Sequence, residues 1–501
     1  MSSLRFRAAL GGALFASALT LLPAVMPAYA GPADNSVSVG MVLEPPHLDP
    51  TAGAAAAIDE VTYSNIFEGL TKVGPDGAVL PGLAKAWTVS EDGLTYTFTL
   101  NSPVKFHDGT PMTAEDVKFS LDRARTEDSV NAQKPLFADI ESVDVTAPDT
   151  VVIKMKKPVG NFLFNLAQGD AIIVSAKSAD NNKSMPIGTG PFKFDKWIQG
   201  QEVRLVKNPD YWGEPVALNS ASFKMISDPN AAFAAMMSGD LDAFPNFPAP
   251  ETLVQFEMDP RFKVSIGSTE GETILAMNNK AGPLADVRVR RAISHAIDKQ
   301  AIIDGAMFGQ GTVIGTHFAP HHPAYVDLKD TYALDIEKAK ALLAEAGYPE
   351  GFTATLKLPP PQYARRGGEL IASDLKKIGI NLEIIPVEWA QWLSEAFREK
   401  NYDFTIVSHV EPMDIGIYAR DGYYFNYDSP EVKAMINKLN ATVDTEARYA
   451  LLGDIQRKIT EDAVNVYLFQ LGKSGVWKAD LEGLWENTPV PANDLTKVHW
   501  K

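Results

Sequence analysis

Residues 352–387 constrain the fold more than any other stretch. "FTATLKL" (352–358) reads as a strand, "ARRGGELIASDLKKIG" (364–379) as a helix stopped by Gly379, and "INLEIIP" (380–386) as a second strand. A strand, a helix and a strand at this length form a βαβ unit, so the two strands are expected to be parallel. Between strand and helix stands "PPPQY" (359–363). Prolines fit neither a helix interior nor a central strand, so they belong in the turn beyond the strand's carboxyl end. In open α/β sheets that edge is where ligands bind. A helix N-terminus there brings partial positive charge and free N–H groups, and Arg365 and Arg366 add full charges. The stretch reads as a rigid receptor for a carboxylate. Neighbours on a helix point about 100° apart, so one of the two arginines faces away.

A further helix, "AQWLSEAFREKN" (390–401), leads into "YDFTIVSHV" (402–410), a third strand whose carboxyl end carries "EPMDIGIYAR" (411–420) with Glu411 and Asp414. Arginines on one side of an edge and carboxylates on the other suit a zwitterion. Tyr363, Trp389, Trp392, Tyr418, Tyr423 and Tyr424 are placed to supply apolar walls. Elsewhere short strand and helix signals alternate without repeats, which argues for α/β or α+β construction. "SVSVGMVL" (36–43) is an apolar strand, and "LTYTFTL" (94–100) a half-buried one. "IGTGPFKFDKWIQGQEVRLVKN" reads as a turn and hairpin. Thr113 and Asp116 have capping-box spacing before an apolar stripe of Val117, Leu121 and Ala124. "LADVRVRRAISHAIDKQAIIDGAMFG" (284–309) reads as one long helix with Asp286 as N-cap, and "DIEKAKALLAEAGY" as another between Asp335 and Gly347.

The first 30 residues read as a secretory leader: Arg5 and Arg7, an apolar run over Leu10–Leu22, and Ala28-Tyr29-Ala30 for cleavage. The whole chain has 46 basic and 63 acidic residues, a net charge of −17. The leader holds two of the basic residues and no acids, so the mature chain carries 44 against 63, or −19. Such a chain is a poor partner for nucleic acid or an anionic membrane. It has no cysteine, which excludes disulfides, thiolate metal sites, a cysteine nucleophile and a lipidated N-terminal cysteine. G-x-S-x-G, H-E-x-x-H and the P-loop are all missing. "GQGTVIG" (309–315) has the wrong spacing for a dinucleotide turn. His317, His321 and His322 in "THFAPHHP" are read as a Pro-containing surface loop in preference to a metal site. No metal, cofactor or enzymatic activity is expected; a secreted hydrolase with a hidden carboxylate pair is the alternative from another class.

"LAKAWTVSEDGLTYTFTL…VKFHDGTPMTAEDVKFSLDR" (83–123) resembles the signature of the family 5 extracytoplasmic solute-binding proteins, the dipeptide, oligopeptide and nickel type that feed ATP-driven importers. "GTGPFKF…NPDYW", "PLADVRVRRAISHAID" and "DIEKAKALLAEAGY" also match. The resemblance implies a two-lobed periplasmic-binding-protein clamshell of α/β class (cluster C type). Lobe I would comprise about 31–267 and 482–501, with an extra subdomain near 72–185, and lobe II about 268–481. It implies a monomer in the periplasm, released by cleavage near Ala30, that closes on a short peptide or similar zwitterion and hands it to an inner-membrane permease and ATPase. Receptors for opines, sugar conjugates or metal chelates are the alternatives. In the dipeptide-binding members an arginine holds the peptide carboxylate and an aspartate holds the amino group. These roles carry over to Arg365 or Arg366, and to Asp414 with Glu411 behind it. The family's second motif has an Asp-Pro step, from which "VEPMDIGIYARDGYYF" departs. Arg420 beside the acids would select an acidic group. Lobe I would add Glu44 and His47 from "EPPHLDP", and Glu270 and Glu272 would lie near the hinge as structural residues.

Overall fold

The structure, a computed structural model, describes residues 31–53 and 55–501; the leader lies outside them. Among the described residues no helix is long and apolar enough to cross a membrane. The architecture is a two-lobed α/β clamshell organised around one 11-stranded sheet. Two long antiparallel strands, Phe262–Met277 and Asn465–Lys478, run side by side through its middle. One end of this pair continues through Ala243–Phe244, Ser36–Met41, Ser220–Met225, Glu202–Lys207 and Phe192–Ile198. The other end continues through Phe404–His409, Phe352–Leu358 and Ile380–Pro386. Each half has its own cores. Val37, Phe223 and Trp477 pack in one, and Leu275, Leu356 and Phe404 in the other.

Between the halves the long pair changes register. Ser268 pairs with Gly472, but the next pair is Glu272 with Gln470. The extra residues form a bulge, which bends strands and raises their twist. Side chains staple its backbone: Gln470 Nε2 donates to the Thr269 carbonyl at 2.6 Å, and Thr269 Oγ1 accepts from Gly271 N at 2.9 Å. The C-terminal tail crosses the same place. Thr488 N donates to the Ser268 carbonyl at 2.8 Å, and Ser268 N to Asn487 Oδ1 at 3.0 Å.

The local readings explain most elements. Ser36–Met41 is buried along its whole length and pairs in parallel with Ser220–Met225, so its apolar run does not alternate. Thr95–Leu100 alternates, turning Tyr96, Phe98 and Leu100 inward, in a separate four-stranded antiparallel sheet. The helix Ala114–Arg125 covers that sheet, and the Thr113–Asp116 capping box is formed. Phe192–Ile198 and Glu202–Lys207 make the expected hairpin. The βαβ unit is also as expected: Phe352–Leu358 pairs in parallel with Ile380–Pro386, and the helix Gln362–Lys376 connects them. Gly379 adopts φ +84°, a conformation that favours glycine.

Two helical expectations are corrected. The stretch 284–309 is two helices, Val287–Ala296 and Lys299–Met307. Asp286 caps the first as expected. Asp298 breaks the run because its side chain accepts from Ala301 N at 3.0 Å and starts a new helix; a short acidic side chain competes with the helix for local N–H groups. In "AQWLSEAFREKN" only Trp389–Trp392 is α-helical, and Leu393–Arg398 widens to a π-helix.

At Gly267 a Cβ atom would lie 1.9 Å from the Glu486 carbonyl oxygen. The three nearest atoms are all backbone of Glu486 and Asn487, so no side chain can give way. Gly267→Ala is expected to destabilise the protein by about 1–3 kcal/mol, read as a lower urea midpoint. An unchanged midpoint would mean that the tail is not seated against this strand.

Candidate functional site

The bulge fixes the position of Glu272. This acid lies in a strand segment, Gly271–Met277, that is buried throughout. An ionised carboxylate there needs a partner. Three other segments converge on it. Phe404–His409 pairs alongside and sets His409 opposite Glu272. Beyond it Met413, at φ +61°, reverses the chain into a 3-10 helix that starts at Asp414. The third segment is the loop after Gly311–Val313, which carries His317. Thr460 Oγ1 donates to the Gly315 carbonyl at 2.9 Å and Gln456 Nε2 to the Ala324 carbonyl at 2.6 Å, so the helix Thr445–Glu461 holds that loop.

His317 is buried between two carboxylates. Its Nε2 meets Asp414 Oδ1 at 2.6 Å, and its Nδ1 meets Glu272 Oε1. Both nitrogens face acceptors, so the ring is suited to carry both protons. Burial alone would lower its pKa, but Glu272 and Asp414 overcome that and raise it to about 10. Burial would push the Asp414 carboxyl up, yet the His317 imidazolium holds it well below the usual carboxylate range. Glu272 goes the other way: burial raises its pKa well above the ordinary value, and His317 offsets only part of this. Asp414 is therefore the ionised partner of His317, and Glu272 the weaker acid of the two carboxyls.

Further groups surround this triad. His409 Nδ1 lies 3.7 Å from Asp414 Oδ2, and its Nε2 is 3.0 Å from the Tyr424 hydroxyl. His321 Nε2 is 2.8 Å from Glu270, and its Nδ1 is 2.5 Å from Ser268 Oγ, within the bulge. Tyr418 packs edge-on against His317, and Tyr424 stacks on His409. The reading of 317–322 as a surface loop is thus corrected. All three histidine side chains are buried, because two pair with hinge-strand acids and His322 stacks on Phe318.

Of the residues singled out in the sequence, Asp414 and Glu411 meet at this cluster, with His409. Tyr363 lies beside it and accepts a hydrogen bond from Ser408 N at 3.3 Å. Arg365 is half-exposed and donates to the Val387 carbonyl and to Glu388 Oε1 at 3.1 Å. Arg366 is on the exposed side of the helix with its guanidinium over Phe308. Trp389 is partly exposed and edge-on to Trp392, and Arg420 lies over Tyr423. In the other lobe Glu44 accepts from Trp197 Nε1 and Gly200 N, pinning the hairpin turn. His47 Nδ1 accepts from Asp49 N at 3.3 Å, and burial lowers its pKa. A cavity of about 280 Å³ has Trp87 and Phe164 on one side and His322, Met413, Arg448 and Tyr449 on the other; it reaches the cluster's sequence neighbours His322 and Met413 and is not lined by Glu272, His317 or Asp414.

The sequence reading missed Glu272, His317 and His409 as members of one site. The available signal was the acid in "ETILAM", an apolar strand segment in which it had no local partner.

Comparison with known proteins agrees with this architecture. The family described as bacterial extracellular solute-binding proteins, family 5 (middle region), matches residues 78–428. The dipeptide-binding protein of Escherichia coli is 32% identical over 64% of this chain, and the match spans 65% of that protein, just under two thirds. The nickel-binding periplasmic protein of E. coli is 28% identical over 83% of this chain and 86% of its own length. The structure of HbpA2 from Haemophilus parasuis superposes with a TM-score of 0.87 at 26% identity, covering 93% of this chain and all of that one.

The triad sets a stability prediction. Removing His317 alone (His317→Asn) leaves buried acid uncompensated and is expected to lose about 3–5 kcal/mol. Adding Glu272→Gln should restore part of the loss, as seen in urea unfolding; strictly additive losses would refute the coupling. The folded-state value of His317 lies above its ordinary 6.5. Its contribution is therefore complete below about pH 6.5 and is lost as pH rises through about 10. The stability gap between wild type and the double variant should shrink over that window.

Proposed function

The chain belongs to family 5 of the bacterial extracellular solute-binding proteins, and from that premise we propose that it captures a short peptide or similar amino-acid-derived zwitterion for an ABC importer. One observation carries the reading: the cavity is walled by residues 77–164 on one side and 322–449 on the other, and its wall residues Met413 and His322 adjoin Asp414 and His321 of the acid–histidine cluster along the chain. A bent strand pair joining two separate cores is a natural hinge. A solute held in the cavity would touch both lobes and favour closure by its differential affinity for the closed form. We take residues 31–267 and 482–501 as the first lobe, with a subdomain near 72–185, and 268–481 as the second.

In this reading the cluster receives the positive end of the solute. Asp414, with the exposed Glu411 beside it, presents the carboxylate oxygens that would meet that end. Arg365 is the better placed of the two arginines for a carboxylate. It is tethered to an exposed glutamate, and surface pairs of this kind are worth only about 0–1 kcal/mol, so it is easily released. Trp389, Tyr363 and Arg420 line the approach. The protein would work in the periplasm as a monomer, present its closed form to the permease and ATPase, and do no chemistry on its cargo.

The test is to purify the mature protein, denature it, and identify the released small molecule by mass spectrometry. A ligand at 100 times its dissociation constant adds about 2.7 kcal/mol to stability, enough to survive purification. Release of a peptide or amino-acid conjugate, intact after hours with the protein, is the expected result. A ligand with neither amine nor carboxylate would overturn the assignment. With the released solute in hand, Asp414→Asn should weaken binding roughly 30- to several-thousand-fold, corresponding to about 2–5 kcal/mol. Arg365→Ala should weaken it, while Arg366→Ala should leave it unchanged. An effect confined to Arg366 would reverse the two roles.

A further inference from the structure

We infer that His321 is a proton-operated clamp on the hinge: as a cation it releases the Ser268 hydroxyl to Asn487 and so ties the C-terminal tail to the bulge. The inference rests on the proposed function's reading of this bulge as the hinge.

Ser268 opens the bulge and Glu270 lies inside it. His321, on a loop from elsewhere in the chain, touches both. Its Nε2 is 2.8 Å from Glu270 Oε1, and its Nδ1 is 2.5 Å from Ser268 Oγ. Ser268 Oγ is also 3.3 Å from Asn487 Oδ1 in the tail, which accepts from Ser268 N at 3.0 Å. A hydroxyl has one hydrogen to donate. Two acceptors, Nδ1 of a neutral imidazole and Oδ1 of Asn487, therefore compete for a single proton.

Glu270 decides which ring nitrogen carries hydrogen in the neutral imidazole. Its carboxylate only accepts, so Nε2–H points to it and Nδ1 is left as an acceptor. The Ser268 hydroxyl then turns to Nδ1, the shorter contact, and Asn487 loses it. A proton added at Nδ1 reverses the direction. Nδ1–H donates to Ser268 Oγ, and the freed Ser268 O–H donates to Asn487 Oδ1. Glu270, His321, Ser268 and Asn487 then form one unbroken chain with every donor matched, and the bond to Glu270 becomes charge-assisted. The order serine, imidazole, carboxylate is also that of an acyl-transfer triad. Here Ser268 is 6% exposed and bonded to the tail on its backbone as well, so its hydroxyl is placed to join strands.

Other charges bear on the ring or on the tail. Glu270 acts on Glu272, which is paired with His317. His322 follows His321 in the loop and also feels Asp76. On the tail, Glu486 pairs with Lys263, and the Trp485 carbonyl accepts from Lys473 Nζ at 2.9 Å, with Glu60 acting on that lysine. Imidazole is the side chain that ordinarily changes charge between about pH 5 and 8. His317 keeps its proton up to about 10, and His322 stays neutral down to about 4, so neither neighbour switches in that range.

The test is amide hydrogen exchange read by mass spectrometry on the mature protein without added solute, at about pH 5.5 and about pH 7.5, corrected for the intrinsic pH dependence of exchange. Peptides spanning 265–272 and 484–490 report on the junction. One hydrogen bond shifts a local opening equilibrium roughly 3- to 10-fold, so protection of both peptides should rise by that factor on acidification. Ser268→Ala removes the relayed hydroxyl but keeps the backbone bonds to the tail, and its protection should be the same at both pH values. His321→Gln, which can still donate to Glu270 but takes up no proton, should be equally flat. Glu272 and Lys473 are untouched in both variants, so any effect of theirs would remain. A flat wild-type profile, or a gain that survives both substitutions, would overturn the clamp. No solute takes part, so that result leaves solute capture standing. A gain in a protein that releases no small molecule would instead support the clamp and count against solute capture.

Discussion

Everything functional in this molecule depends on the pairing of Phe262–Met277 with Asn465–Lys478. The two strands belong to both halves of the sheet, so they hold the halves together and also limit how they move. An uninterrupted ladder would make the halves one rigid slab. Register changes between Ser268 and Glu272, and again between Thr273 and Ile274, interrupt it. At the first of these the backbone is bonded by the side chains of Thr269 and Gln470 instead of by the regular ladder.

The same interruption makes the electrostatics possible. Past the bulge the strand is sealed on both faces, and Glu272 is the first residue to enter it. Burying a carboxylate without a partner is costly, so the fold has to bring a cation to that depth. It brings His317 on a loop held by the helix Thr445–Glu461, and it balances His317 with Asp414. The loop, the strand end and the hinge are therefore linked through three side chains. Much of the polar character of the site follows from this one acid.

How much of this was legible beforehand depended on distance along the chain. The βαβ unit, the capping box at Thr113, the caps at Asp286 and Asp335 and the hairpin near Gly200 are set by residues within about 40 positions of each other, and local pattern found them. The break at Asp298 was missed because apolar periodicity continues across it, while the side chain that ends the first helix does so by a local hydrogen bond. The site was only partly legible. Asp414 and Glu411 stood out as acids at a strand end. Their partners come from residues 272, 317 and 409, which only tertiary folding brings together. A histidine triplet between prolines looks like a surface loop until the acids it meets are known. Arg365 and Arg366 were placed correctly at the helix start, but their neighbours Glu388 and Phe308 lie on other elements.

The tail seated on Ser268 also bears on the order in which the chain can be completed. Trp500 Nε1 donates to the Ser36 carbonyl, and Leu495 N donates to Asn65 Oδ1. The beginning and end of the polypeptide are thus stitched to each other, whereas the second half of the sheet draws its strands from residues between them. The middle of the chain can acquire its contacts before the tail meets Ser36 and Asn65. Contacts spanning more than 400 residues close late, because loop closure must come before they contribute. The contacts that close this ring lie in the half of the sheet that holds Ser36, and the tail reaches them by way of Ser268 at the hinge.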